Sequence, residues 1–216
     1  MKIGVLGTGM VGQAIASKLV SLGHEVKMGS RSANNERGRT WVQLAGTDAT
    51  LGTFAESAAF GEVVFNCAKG EAALEVLHSA GKDALKGKVL IDISNPLDTS
   101  KGMPPSLAVC NTDSLAEQIQ RAFPQTRVVK TLNTVNASLM VNPAQLANGE
   151  HDIFMSGNDV AAKAQVTEIL RDWFGWKHVV DLGDITTARG TEAYLLLWVR
   201  MWGAFKSPGF NVHVVK

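Results

Sequence analysis

Net charge, cysteine, tyrosine and long apolar runs are all scarce in this chain of 216 residues. Lysine and arginine number 21 against 20 aspartates and glutamates, a formal net charge of +1. That balance offers no electrostatic footprint for nucleic acid or for an anionic membrane surface. The two cysteines, Cys67 and Cys110, show no metal-ligand spacing. Cys67 lies in an apolar run, where a buried, reduced thiol is expected. The histidines (His24, His78, His151, His178 and His213) are not spaced as metal ligands either. The longest apolar stretch, Ala193 to Phe205, is interrupted by Arg200 and falls short of the roughly 20 residues a bilayer requires. Met1 and Lys2 lead straight into Ile3-Gly4-Val5-Leu6-Gly7, which reads as the start of a motif rather than a secretory leader. Together these absences predict a cytoplasmic protein with no membrane span, no nucleic-acid partner and no metal.

What is present is a rhythm. Short apolar runs at Lys2–Leu6, Glu25–Met28, Glu62–Ala68, Lys88–Ile93 and Arg127–Leu132 alternate with segments of helical period, and Ala49–Thr53 is a weaker sixth run. Val11, Ile15, Leu19 and Leu22 recur at helical spacing, which predicts a helix over Met10–Leu22 ending at Gly23. Further helices are predicted at Glu71–Ala80 and at Asp113–Phe123, the latter stopped by Pro124. This alternation predicts an α/β fold, a Rossmann-type doubly wound parallel sheet over residues 1–140. After Asn136 the rhythm loosens. Strands at Asp152–Met155 and His178–Leu182 flank a helix at Val160–Phe174, and a last helix runs from Ile185 to about Trp202. That helix is apolar nearly all round from Tyr194 onward, so it is expected to be buried in the core or in a subunit interface. Residues 141–216 therefore read as a small C-terminal α/β extension ending in a long apolar helix.

Gly7-Thr8-Gly9-Met10-Val11-Gly12 directly follows a strand and opens an amphipathic helix, the context in which the Gly-x-Gly-x-x-Gly pattern binds a dinucleotide. Gly7 allows the tight turn, Gly9 admits the pyrophosphate close to the backbone, and Gly12 lets helix and strand pack. The free N–H groups and the dipole of the helix start supply the anion site. A chain selective for NAD places Asp or Glu about 20 residues further on, to bond the ribose 2′-hydroxyl. Here that stretch reads Met28-Gly29-Ser30-Arg31-Ser32. Arg31 can clamp a 2′-phosphate or stack on adenine, Ser30 and Ser32 add hydroxyls, and Arg37 or Arg39 can complete the pocket. The cofactor is therefore expected to be NADP(H).

Carbonyl reduction needs a proton donor beside the nicotinamide, such as His, Lys or a Tyr–Lys pair. The sole tyrosine, Tyr194, is followed four residues on by Trp198, so no Tyr-x-x-x-Lys exists. No catalytic residue can be named. A flavin-type ring accepts hydride directly, which makes cofactor-to-cofactor transfer the chemistry that fits this inventory. The loops at the strand ends carry Ala68-Lys69-Gly70, Ser94-Asn95-Pro96 and Asn133-Thr134-Val135-Asn136. Ala68, Lys69, Asn95 and Asn133 are candidates to line the nicotinamide site, with Asn136 a further candidate. The asparagines have an alternative role in satisfying turn backbone.

Over nearly its whole length the chain resembles the NADP oxidoreductases named for coenzyme F420, a deazaflavin. The likeness runs through Gly7–Gly12, Leu22-Gly-His-Glu-Val, Gly29-Ser30-Arg31, Asn95-Pro-Leu, Lys130-Thr-Leu-Asn-Thr-Val-Asn-Ala and Asp181-Leu-Gly-Asp-Ile. The resemblance implies 2′-phosphate recognition by Ser30 and Arg31, and a homodimer that would account for the apolar last helix. Members that use the deazaflavin carry Pro-Leu-Val-Pro and His-Thr-Ile-Pro where this chain has Asn95-Pro-Leu-Asp and Asn133-Thr-Val-Asn. The acceptor is thus expected to be coenzyme F420, another flavin, a quinone or another small molecule. Two alternatives remain at this level. One is a 6-phosphogluconate-type hydroxyacid dehydrogenase using Lys163, and the other is a redox sensor that binds NADP(H) without turnover.

Overall fold

Val63–Asn66 and Val89–Asp92 are buried at every position, as strands covered by helices on both faces must be. The computed structural model describes residues 1–216. The first half runs β1 (Lys2–Leu6), α1 (Met10–Ser21), β2 (Glu25–Ser30), α2 (Glu36–Ala45), β3 (Ala49–Thr53), α3 (Phe54–Phe60), β4 (Val63–Asn66), α4 (Ala73–Ala80), α5 (Lys82–Leu85) and β5 (Val89–Asp92). A small hairpin, β6 (Leu97–Asp98) with β7 (Ser106–Leu107), comes next. It is followed by α6 (Leu115–Ala122), β8 (Arg127–Thr131), α7 (Ala137–Val141), β9 (Asp152–Gly157), α8 (Val160–Glu168), β10 (His178–Asp181) and α9 (Ala188–Phe205).

The main sheet has the order β10-β9-β8-β5-β4-β1-β2-β3. All its pairings are parallel except β8 with β9, where Thr131 faces Met155 and Val129 faces Gly157. The Rossmann-type fold is thus present, and β9 and β10 extend the same sheet in the reverse direction. β1 pairs with both β2 and β4, so the chain reverses its direction of winding there. A crevice opens beyond the carboxyl ends of β1 and β4, where doubly wound folds bind ligands.

Two apolar layers hold the helices to the sheet. On one face Ile15, Ala16 and Leu19 of α1 pack with Leu139 and Met140 of α7 and with Val166 of α8. On the other face Ala58, Leu77, Ile119 and Phe123 form the second layer. Fully burying a side chain of Leu or Ile size contributes about 1.5–3 kcal/mol. The indoles of Trp41 and Trp176 are buried with their N–H groups satisfied, by Ser17 Oγ at 3.0 Å and Met140 O at 3.0 Å.

Several boundaries differ from those the sequence suggests. The helix expected at Glu71–Ala80 divides into a 3₁₀ turn at Gly70–Ala72 and α4. The helix expected from Asp113 begins at Leu115, because Ser114 Oγ accepts from Glu117 N and caps it. Residues Ile169–Trp173 after α8 form a π turn. The last helix is not buried in the monomer. Leu195 and Val199 face inward, but Leu196, Leu197, Trp202 and Phe205 are exposed. No helix is long and apolar enough to cross a membrane.

Candidate functional site

The turn between β1 and α1 is built from three glycines in three different circumstances. Gly7 has φ +126°, and a Cβ there would stand 2.9 Å from Cys67 O. A Cβ on Gly12 would come within 2.0 Å of Gly7 O, so only glycine lets α1 sit this close to the turn. Gly9 caps α1 with no side-chain hydrogen bond, and a Cβ there would meet nothing within 4 Å. The open space lies against the first turn of a helix that carries no acidic residue there. First-turn N–H groups have no intrahelical acceptor, and the helix dipole adds positive potential. Thr8 O is fixed by Gln13 Nε2 at 3.0 Å. This cradle fits a pyrophosphate.

At the end of β2, Ser30 is buried, and its hydroxyl bonds the backbone of Ser32, donating to the carbonyl and accepting from Ser32 N at 3.2 Å. Ser30 therefore shapes the turn with the hydroxyl expected to serve as a donor. Arg31, Ser32 and Arg37 are exposed, and neither arginine is held in an ion pair.

A groove of about 500 Å³ runs from the start of α1 to the loops after β4 and β5. Gly9, Met10, Val11 and Arg37 line one part of it, Cys67, Ala68, Lys69, Gly70 and Glu71 another, and Ile93, Ser94, Asn95, Leu97 and Thr99 the rest. Gly7, Thr8 and Gly12 form the turn behind that wall, and Ser30, Arg31 and Ser32 stand outside it. Asn133 is not in the wall. It is buried, and its Nδ2 donates to Asn95 Oδ1 at 3.0 Å and to Thr191 O at 3.1 Å. Asn136 caps α7 and bonds Pro208 O, so it satisfies backbone. Lys69 is largely exposed and lies 3.9 Å from Glu71. Burial pushes the Cys67 thiol up, reinforced by the charge of Asp92, so it stays protonated at neutral pH. A larger groove of about 800 Å³ lies between α1 and α2 and shares Arg37, but no residue of the loops after β4 and β5 lines it.

Beneath the wall is a buried polar cluster that the sequence reading missed. Lys130 Nζ meets Asp92 Oδ2 at 2.8 Å, Glu192 Oε1 at 2.9 Å, and the carbonyl of Ser94. Asp92 Oδ1 accepts from Asn66 Nδ2 at 2.8 Å and from Ser94 Oγ at 2.7 Å. Glu192 accepts from Leu115 N at 2.8 Å and Ala116 N at 3.0 Å, closing the N-terminus of α6. Asn66, Asp92, Lys130 and Glu192 are all at most 2% exposed. Burial alone would depress the Lys130 ammonium, but the two carboxylates outweigh it and hold the pKa above the ordinary lysine value. Asn66, Asp92 and Lys130 lie at the polar ends of apolar strands, which is the signal that marks them in sequence. Glu192 has no such signal.

The other candidates lie elsewhere. Lys163, on α8, bonds Asp181 Oδ1 at 2.9 Å and Gly183 O at 3.0 Å. Those partners stand at and just after the end of β10, the outer strand of the sheet, which β9, β8 and β5 separate from β4 and β1, and Lys163 lines no part of the groove. It cannot serve as a dehydrogenase lysine there. His24 stacks on Trp173, His78 on Phe123, His151 bonds Pro143 O, His178 bonds Glu150, and His213 bonds Asp152. None lines the groove.

The sequence and the fold have counterparts among known proteins. Residues 2–96 match the family model described as NADP oxidoreductase coenzyme F420-dependent. The F420-dependent NADP reductase of Methanothermobacter marburgensis is 34% identical over 151 residues, 66% of this chain and 67% of that protein. Metalloreductase STEAP3 of Rattus norvegicus is 30% identical over 93% of this chain, which spans only 38% of that protein's length. A crystal structure from Arthrobacter sp. FB24, provisionally assigned as an F420-dependent NADP-reductase, superposes with a TM-score of 0.95 at 49% identity, covering 100% of both chains. The chain is thus an NADP-dependent oxidoreductase and belongs to the coenzyme F420-dependent family of NADP oxidoreductases.

Proposed function

We propose that the groove binds NADP(H) and that the protein moves a hydride between its nicotinamide and a flavin-like acceptor, coenzyme F420 or another flavin. The observation that carries this reading is the groove's own wall. It runs from Arg37 past the open face of Gly9 to Asn95, and it holds no histidine, no tyrosine and no buried free lysine. A bound nicotinamide supplies the hydride, and a conjugated ring can take it without a fixed proton donor. The chain's own work is then binding and orientation. The first turn of α1 takes the pyrophosphate, Arg31 and Arg37 take the 2′-phosphate with Ser30 and Ser32 shaping their turn, and Ala68, Lys69 and Asn95 bound the nicotinamide end. Asn133 supports Asn95 from below.

The relatives' names point to different redox partners, F420 for an NADP reductase and a metal for a metalloreductase, so the partner of NADP(H) is assigned as a chemical class. Residues 141–216 would complete the acceptor side. The exposed apolar side of α9 would pair two copies as a homodimer. The test is to mix the protein with NADPH and, separately, coenzyme F420, riboflavin nucleotides, quinones and small carbonyls, following the nicotinamide absorbance. Turnover with F420 or a flavin supports the reading. Oxidation of a 3-hydroxyacid by NADP+ in a parallel mixture, with no turnover of F420 or flavins, or tight NADPH binding with no turnover on the whole panel, would overturn it.

A further inference from the structure

We propose that Lys130 and Glu192 are positioning residues for the nicotinamide end of the groove, holding its two loops in place without touching the cofactor. The inference rests on the reading of that groove as the NADP(H) site.

The three N–H bonds of the Lys130 ammonium are all engaged, by Asp92, Glu192 and the carbonyl of Ser94. A saturated, fully buried ammonium neither reaches the groove nor releases a proton to it. It does fix what forms the wall. Ser94 is held by its carbonyl to Lys130 and by its hydroxyl to Asp92. Asp92 also orients Asn66, whose Oδ1 accepts from Ala68 N at 3.3 Å. Ala68, Ser94 and Asn95 line the groove, so both loops converge on one charge. A second tie, Asn95 to Asn133 to Thr191 O, lands on the same helix as Glu192.

The charge balance explains why α9 is needed. One ammonium faces two carboxylates, and the N–H groups of Leu115 and Ala116 at the start of α6 take up the second. Removing a partner leaves a buried charge uncompensated, and the loops bonded to it must relax. The adenosine end is different. Gly9, Arg31 and Arg37 belong to the β1-α1-β2-α2 segment and make no hydrogen bond to this cluster. Losses should therefore fall on the nicotinamide half alone.

The experiment compares NADPH with 2′,5′-ADP, which carries the adenosine and 2′-phosphate but no nicotinamide, in Glu192→Gln, Glu192→Asp and Lys130→Met. Glu192→Gln keeps the size and one acceptor oxygen but removes the charge, and its amide N–H must face a donor, either Lys130 and Ala116 N or Leu115 N. It is the decisive variant if Lys130→Met fails to fold. The expected result is 2′,5′-ADP affinity within about twofold of wild type, with NADPH weakened about tenfold or more. The change in nicotinamide fluorescence on binding should also be lost, and Glu192→Asp should recover part of it. Parallel loss of both ligands in a folded Glu192→Gln, or unchanged NADPH binding, would overturn the positioning role. A wild-type protein that binds neither ligand would overturn the groove reading, and the positioning role with it.

Discussion

Asn95 and Asn133 exchange hydrogen bonds, Asn95 Nδ2 donating to Asn133 O at 2.9 Å and Asn133 Nδ2 to Asn95 Oδ1 at 3.0 Å. The pair joins the loops after β5 and β8 across the carboxyl edge of the sheet. Asn133→Ala strips partners from Asn95 Oδ1 and Thr191 O. It should lower stability by about 1–3 kcal/mol, the cost of leaving buried polar groups unmet. A shift of the urea midpoint with unchanged slope is the expected signature. A wild-type midpoint would mean that water or a neighbour replaces the lost amide.

Gly9 and Gly12 should separate folding from binding. Gly12→Ala forces a Cβ to 2.0 Å from Gly7 O, so thermal stability and NADPH affinity should fall together. Gly9→Ala meets no protein atom and should melt as wild type does. Its methyl would enter the space proposed for the pyrophosphate, so NADPH should bind at least about tenfold more weakly. Undiminished NADPH binding by Gly9→Ala would sink the assignment of this turn as the phosphate site.

Arg31 decides between cofactors under the proposed function. Charge-assisted hydrogen bonds to a phosphate contribute about 1.5–3 kcal/mol, so Arg31→Ala should weaken NADPH by roughly 10- to 100-fold. NADH, which lacks the 2′-phosphate, should lose little. Titrations of both nucleotides check this. Equal losses would assign Arg31 to adenine stacking instead.

Two carboxylates held in surface ion pairs, Glu150 and Asp113, should shape the acid limb of stability. Hydrogen bonds from Lys177 and His178 bring the Glu150 pKa to about 2, and the two from Arg121 bring that of Asp113 to about 2. Both folded values lie below the unfolded ones. The pairs therefore stabilise the fold above the unfolded pKa, and that contribution disappears as pH falls through the folded value. The melting temperature should drop between about pH 4.5 and 2. The drop should be modest, because solvent screens exposed pairs. Glu150→Gln and Asp113→Asn should each flatten that limb, and profiles superimposable on wild type would show that other carboxylates set it.

Local chemistry made much of the sheet legible. Lys2–Leu6, Ala49–Thr53 and Arg127–Thr131 are strands in the structure, and the glycines at 7, 9 and 12 have the geometry their spacing implies. α2 and α3 went unread although each carries a cap. Asn35 accepts from Gly38 N, and Thr53 with Glu56 forms a full capping box, a signal that sequence does contain. The hairpin of β6 and β7 is too short to leave a periodic pattern.

The sequence by itself determined the glycine turn, the α/β alternation and the absence of an acid at the end of β2, because each depends on residues within one turn or one strand. Only the tertiary structure decided which loop residues face the groove. Asn133 and Asn136 have the same chemistry as Asn95, yet they are turned to backbone and to α9. It alone also exposed one side of α9, set Lys163 beside the outer strand β10 and gathered Asp92, Lys130 and Glu192 into one buried cluster. These outcomes depend on strand order and on the reversed direction of β9. Pairings between residues tens of positions apart leave no local trace for a sequence to carry.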